Sequence, residues 1–125
     1  MNYFENEFAL PIILGNSKES IQVAKLLQKK TELEIHIIAK KLSLLNMLRF
    51  YFHKLCSDSD EIILMIAEDI LKDSEEYYTP VLIYDKNEYG ELIKRNAERV
   101  ETSFIIMSVY DFKKHFTKEE KNENQ

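Results

Sequence analysis

The residues best suited to chemistry in this sequence are short polar segments that each follow an apolar run. These segments are Gly15-Asn16-Ser17-Lys18, Lys40-Lys41, Asp85-Lys86-Asn87 and Ser108-Val109-Tyr110. The first of them opens a predicted helix, whose free backbone N–H groups can bind an anion, and the lysine side chains add positive charge. The pattern predicts a site for a small carboxylate or phosphate, formed by Gly15, Asn16, Ser17, Lys18, Lys40, Lys86 and Asn87. The alternative interpretation is that these lysines are solvated surface residues, as in the loops of many α/β domains.

Several sharper nucleotide-binding motifs are absent from the sequence. Gly15 stands alone after the first apolar run, with neither a G-x-G-x-x-G nor a G-x-x-x-x-G-K-[ST] pattern. A dinucleotide site has an acidic residue after its second strand, where this chain has Lys40 and Lys41. A phosphorylatable receiver would have an acidic pair where this chain has Gly15 and Asn16. We therefore expect none of these three classes of protein, and no cofactor.

The histidines and the single cysteine form no catalytic or metal-binding pattern. His36, His53 and His115 are scattered, and none lies at ligand spacing from a cysteine or a carboxylate. We expect each histidine to be a surface or hydrogen-bonded side chain, and we expect no metal site. Cys56 has no C-x-x-C partner, so we expect a buried, small apolar side chain rather than a nucleophile.

Composition and charge exclude other classes of partner. The chain has 17 basic and 22 acidic residues and a net charge of −5, which disfavours nucleic acid and anionic membrane surfaces as partners. No apolar run approaches the roughly 18 residues of a membrane span, and the N-terminus lacks the features of a signal peptide. A single cysteine suits a reducing compartment. We expect a cytoplasmic protein with one domain at residues 1–117 and a polar tail at residues 118–125.

Apolar runs alternate with segments of helical periodicity along the chain. The predicted strands are Leu10–Leu14, Leu33–Ala39, Phe52–Cys56, Val81–Tyr84 and Phe104–Val109. The predicted helices are residues 16–30 with Asn16 as the cap, 57–77 with Asp58 and Glu61 in a capping box, 88–100, and one starting at Asp111. Residues 42–51 fit a helical turn or a loop.

This alternation predicts an α/β domain in three layers, with a mostly parallel sheet of four to five strands. Continuous apolar runs are typical of strands that are buried on both faces. The predicted core comprises Ile12, Ile13, Ile35, Ile37, Leu82, Ile83, Ile105 and Ile106. The carboxyl ends of parallel strands share one edge of the sheet, so the polar segments are expected to meet there.

Two segments carry a resemblance to a known family. LPIILGNSKESIQVAKLLQKK resembles the opening strand, loop and helix of the N-terminal, pre-ATP-grasp domain of ATP-grasp ligases, of the bacterial carboxylate–amine ligase type. VLIYDKNEYGELIKRNAERVETSFIIMSV is similar to the same domain in its order of strand, acidic loop, tyrosine-bearing helix, asparagine and final strand. The resemblance covers Leu10 to Phe116. Asn87 departs from it, because the family often has an aspartate there.

The resemblance implies a Rossmann-like domain that packs beside ATP-grasp catalytic domains and helps to form an acceptor-substrate cleft. In such ligases the ATP and magnesium residues lie in later domains of a few hundred residues, so we expect this chain not to be catalytic alone. A second hypothesis is a stand-alone module for a small ligand or a protein partner, in one form a homodimer. A third is a small enzyme that uses the lysine-lined edge, although no activated nucleophile or acid–base pair supports it.

Overall fold

The computed structural model describes residues 9–76 and 78–114, to which the account below is confined. The strands are β1 (Ala9–Leu14), β2 (His36–Ala39), β3 (Tyr51–Lys54), β4 (Thr79–Tyr84) and β5 (Ile105–Ser108). The helices are α1 (Lys18–Lys30), α2 (Leu44–Arg49), α3 (Asp60–Asp73), α4 (Lys86–Arg95) and α5 (Ala97–Ser103), and residues 109–114 are also helical. The strands form one sheet in the order β3-β2-β1-β4-β5, and every neighbouring pair is parallel.

This architecture confirms the predicted α/β fold, a three-layer, Rossmann-like domain. One apolar cluster lies between the sheet and α1, and it includes Ile13, Val23 and Leu27. A second cluster lies on the other face against α3, α4 and α5, and it includes Ile12 and Leu82. The central strands β1 and β4 therefore contribute side chains to both clusters, which explains why their sequences are continuously apolar.

Most of the predicted core is buried, but its last two members are not. Ile12, Ile13, Ile37, Leu82 and Ile83 are fully buried, and Ile35 is 3% exposed. Ile105 and Ile106 are only partly buried and pack against the margins of the two clusters, so the prediction is confirmed for them only in part. The reason is topological, because β5 forms an edge of the sheet and has a neighbouring strand on one side alone.

The caps of α1 and α3 each lie one residue after the predicted cap, and α4 begins at Lys86, two residues before its predicted start. Ser17, rather than Asn16, caps α1, since its hydroxyl accepts a hydrogen bond from the Ser20 N–H at 3.1 Å. The Asn16 amide instead donates to the Lys41 carbonyl at 2.8 Å. Ser59 occupies the cap position of α3, so the predicted capping box at Asp58 does not form. These shifts lie within the usual uncertainty of helix boundaries.

A single helix was predicted over residues 88–100, but Asn96 divides it into α4 and α5. The backbone of Asn96 has left the helical region, with φ of −120° and ψ of 25°. Its side-chain amide donates to the Leu92 carbonyl at 2.8 Å and to the Asp60 carboxylate at 2.9 Å. The asparagine therefore ends one helix, begins the next and ties both to the start of α3.

The segment whose secondary structure was not predicted from the sequence lies at the β3 margin of the sheet. Residues 42–51 contain α2, and the predicted third strand forms as β3, one residue earlier at its start. The second strand is shorter than predicted, because its pairing with β1 and β3 begins only at His36. The predicted ends at Tyr77 and Phe116, the boundary at residue 117 and the tail at 118–125 lie outside the described residues.

Candidate functional site

The strand order reverses between β1 and β4, and this defines a crevice at the carboxyl edge of the sheet. From β1 the chain passes to α1 on one face, whereas from β4 it passes to α4 on the other face. The two loops therefore diverge above adjacent strand ends. Ligands of open parallel sheets bind in such a crevice.

Gly15 forms the bottom of this crevice, and its position requires glycine. Its φ is +127°, a conformation that L side chains rarely adopt. A Cβ atom there would lie 2.9 Å from the Asp85 Cβ and 3.3 Å from the Ser20 Oγ. The Gly15 N–H also donates to the Ile38 carbonyl at 2.9 Å. The absence of a side chain thus lets the loop after β1 approach the loop after β4 closely.

Asp85 organises the opposite wall of the crevice. The residue is 9% exposed, and its carboxylate caps α4 by accepting a hydrogen bond from the Asn87 N–H at 3.1 Å. Its own N–H donates to the Leu14 carbonyl at 3.0 Å, which continues the β1–β4 pairing past the strand ends. Asp85 therefore fixes the start of α4 relative to β1.

Tyr89 places a neutral phenol beside several carboxylates. Burial, and then the charges of Glu88, Asp58 and Asp85, raise the pKa of Tyr89 to about 12. The phenol therefore keeps its proton at physiological pH. Glu88 and Asp85 give the α4 side of the crevice a negative charge that stabilises positively charged groups, whereas Asp58 is already paired with Lys40. Sequence reasoning missed this acidic wall because Asp58 lies far from Asp85 in the chain.

The predicted lysines are at the same edge but differ in their surroundings. Lys40 forms an ion pair with Asp58, and the hydrogen bond to this carboxylate raises the pKa of the lysine. Lys18 and Lys86 are exposed and are the first residues of α1 and α4. A cation at the first position of a helix opposes the helix dipole, whereas an anion there is stabilised.

All seven predicted site residues border this edge, because they follow β1, β2 and β4. Gly15 is buried, Asn16 and Ser17 are partly exposed, and Lys18, Lys40, Lys86 and Asn87 are exposed. Gly15, Asn16 and Ser17 also have structural roles in the loop and cap described above. The side chains most available to a ligand are therefore Lys18, Lys86 and Asn87.

A histidine pair lies elsewhere on the sheet, and the sequence did not predict it. The His36 Nδ1 and the His53 Nε2 are 2.9 Å apart, because parallel pairing of β2 with β3 places both on the same face. Burial, and then the neighbouring His53, lower the pKa of His36 to about 4, and burial also lowers the pKa of His53. The pair is therefore neutral at pH 7, with one ring donating and the other accepting.

The histidine pair borders a cavity of about 420 Å³ at the amino edge of the sheet. Glu34, Asp73 and Glu75 contribute acidic groups to the lining, and the Tyr51 ring lies 5.0 Å from the ring of His36. Among residues 9–76 and 78–114, no group of three or more metal-ligand side chains lies close enough together to hold an ion. This cavity is at the edge opposite to the crevice.

Cys56 does not have the buried position that was expected of it. The thiol is free and exposed, just after β3, because Leu55 and not Cys56 enters the core.

Comparison with protein families, with curated proteins and with solved structures finds no match to this chain. Within the part of the chain that the structure describes, no helix is long and apolar enough to cross a membrane. The functional argument therefore depends on the geometry of the crevice.

Proposed function

We propose that this chain is a non-catalytic, pre-ATP-grasp-like domain of a carboxylate–amine ligase-type protein, where it contributes to the acceptor-substrate cleft. The crevice between the loops after β1 and β4 is the observation that carries the proposal. The crevice has two parts that attract opposite charges. The starts of α1 and α4, with Lys18 and Lys86, attract anions, whereas the carboxylates around Tyr89 attract cations. An acceptor amine is cationic before it reacts, and it fits the acidic wall. A carboxylate or phosphate on the same ligand fits the helix starts.

The role of the domain in this proposal is to bind and orient, and not to transfer a group. The Asp58 carboxylate raises the pKa of Lys40, and the pKa of Tyr89 is raised to about 12, so both side chains keep their protons at neutral pH and are poorly suited to proton transfer. The reaction itself would belong to an ATP-grasp catalytic part. A single cysteine, which forms no intrachain disulfide, supports a reducing, cytoplasmic site of action.

The second candidate is a stand-alone module that binds a small ligand without enzymatic activity. The same crevice favours it, because the topology of an open parallel sheet supplies a binding site whether or not a catalytic part follows. The length of the native gene product separates the two candidates, since the ligase-type protein needs a few hundred further residues.

An NMR titration of the full chain tests the crevice. Small amino acids, small carboxylates, phosphate and nucleotides are the probes. We expect amide shifts at Gly15, Asn16, Ser17 and Asn87, and weaker binding as salt rises. Lys18→Gln and Lys86→Gln should each weaken binding about two- to fivefold, the size of a helix-end charge effect.

Lys72→Gln is the matched control, because Lys72 is an exposed lysine in the last turn of α3, at the other edge of the sheet. It should leave binding unchanged. Shifts confined to the amino edge near Thr31 and Thr79 would contradict the site. No shifts with any probe would favour a pure interaction module.

Catalysis by the isolated chain is the other measurement. We expect no ATP hydrolysis in the presence of magnesium. Turnover that disappears when Lys86 or Asp85 of this chain is substituted would refute a purely binding role.

A further inference from the structure

Helix α2 exposes a large apolar surface. Leu44, Leu45 and Leu48 are 75%, 65% and 79% exposed, and Met47 is 41% exposed. No residue of this helix is buried. Four large apolar side chains in six residues give a contiguous patch of about 400 Å², near the upper end of what monomeric proteins leave uncovered.

The segment is held in place by its ends and not by the helix itself. Ser43 caps the start of α2, and Phe50, directly after it, is 5% exposed and belongs to the cluster on the α1 face. The Gln28 side chain of α1 donates to the Arg49 carbonyl at 3.1 Å. A six-residue helix is unstable alone, so these anchors present its leucines outward in a fixed arrangement.

We propose that this α2 face is the interface of a homodimer, a property that goes beyond the proposed ligand-binding function. A standard interface buries about 800 Å² per partner, of which somewhat more than half is apolar. The four α2 side chains supply nearly all of that apolar area. Leu48 lies four residues after Leu44 and three after Leu45, so it shares a helix face with each of them, and this ridge can pack against its own copy about a two-fold axis.

The basic residues near the patch make the effect of salt different for each possible occupant. Residues 40–54 contain four basic residues and no acidic residue, and Lys41, Arg49 and Lys54 of this segment are exposed. In a two-fold dimer these cations approach their own copies and repel, so added salt strengthens association. An acidic protein or an anionic lipid surface would instead be bound less tightly as salt rises.

Sedimentation velocity of the full chain, from about 1 µM to about 300 µM, tests the dimer. We expect a monomer–dimer equilibrium that shifts toward dimer with salt. Leu44→Asp and Leu48→Asp should each raise the dissociation constant about 30-fold or more, as for a buried residue near the centre of an interface. Circular dichroism shows whether each variant keeps the native fold.

Met65→Asp is the matched control, because Met65 is an apolar residue of α3 that is 47% exposed. It should leave the dimer intact. In a Cys56→Ser background, Leu45→Cys should yield an interchain disulfide under mild oxidation, whereas Met65→Cys should not. A chain that stays monomeric at every concentration and salt, or a dimer broken by Met65→Asp and not by Leu48→Asp, would overturn the proposal. Binding of a monomeric chain to phosphatidylserine vesicles, lost in Leu48→Asp, would assign the face to lipid instead.

Discussion

The centre of the sheet and its β3 margin differ in how deeply their side chains are buried. In β1 and β4, paired in register from Ala9 to Leu14, the neighbouring residues Ile13 and Ile83 are fully buried on the α1 face, and Ile12 and Leu82 are fully buried on the other face. At the margin, β3 has no fully buried residue, and α2 before it buries none either. The centre therefore supplies stability, whereas the margin carries groups that can associate or take up protons. Regions of low burial are where proteins change state most readily.

The largest expected effect on the free energy of unfolding comes from truncating side chains in the core. Ile13→Ala and Ile83→Ala should each lower the free energy of unfolding by about 2–5 kcal/mol, because each leaves a cavity in a close-packed centre. Tyr51→Ala at the margin should cost about 1 kcal/mol or less, since that side chain is 53% exposed. Urea unfolding measures all three. Costs below about 0.5 kcal/mol at both isoleucines, as at surface positions, would show that the centre is not as described.

The next test concerns Gly15, where a single added Cβ atom would disturb the close approach of the loops after β1 and β4. Gly15→Ala should destabilise the fold by about 2–3 kcal/mol, because φ is +127° and the new Cβ would lie 2.9 Å from the Asp85 Cβ. Gly90→Ala is the matched control, since Gly90 lies within α4 and a Cβ there meets only the Lys86 Cγ, at 3.5 Å. It should stabilise the chain by about 0.5–1 kcal/mol through helix propensity. Equal effects of the two alanines on the urea midpoint would contradict the close approach of the two loops.

The smallest expected effect is the pH dependence of the margin. Burial and His53 hold the pKa of His36 at about 4 in the folded state, below the unfolded value of 6.5. The unfolded chain therefore binds more protons between these values, so the stability contributed by the neutral histidine is complete above pH 6.5 and falls as pH drops toward 4. The loss should be about 1–2 kcal/mol, because part of the ring is reached by water.

Urea unfolding between pH 7 and pH 4 gives the slope for the wild type and for His36→Gln, in which it should flatten. Acidic groups such as Asp60 and Glu68, whose pKa values are lowered by hydrogen bonds with Arg95 and Arg99, contribute equally to both proteins. An identical slope in the variant would mean that the histidine pair does not couple to folding.

The candidate site was predictable only in part. The positions of Gly15, Ser17 and Lys86 after apolar runs place them at one edge of any parallel sheet, which local sequence is enough to indicate. The acidic wall was not predictable, because Asp58, in the loop before α3, comes near Tyr89 of α4 only in the folded chain. The same limit applies to Asn96 at the break in the helix, whose side-chain amide donates to the carboxylate of Asp60, 36 residues away.

The sequence by itself determined the alternation of strands and helices, the parallel sheet and the fully buried centre. These follow from the length and periodicity of apolar runs, a property of neighbouring residues. Only the tertiary structure decided the strand order, the contact of His36 with His53 and the outward face of α2. Each of these depends on which distant segments become neighbours. The sequence of a leucine-rich turn such as residues 44–48 does not show whether its side chains are buried in a core or exposed.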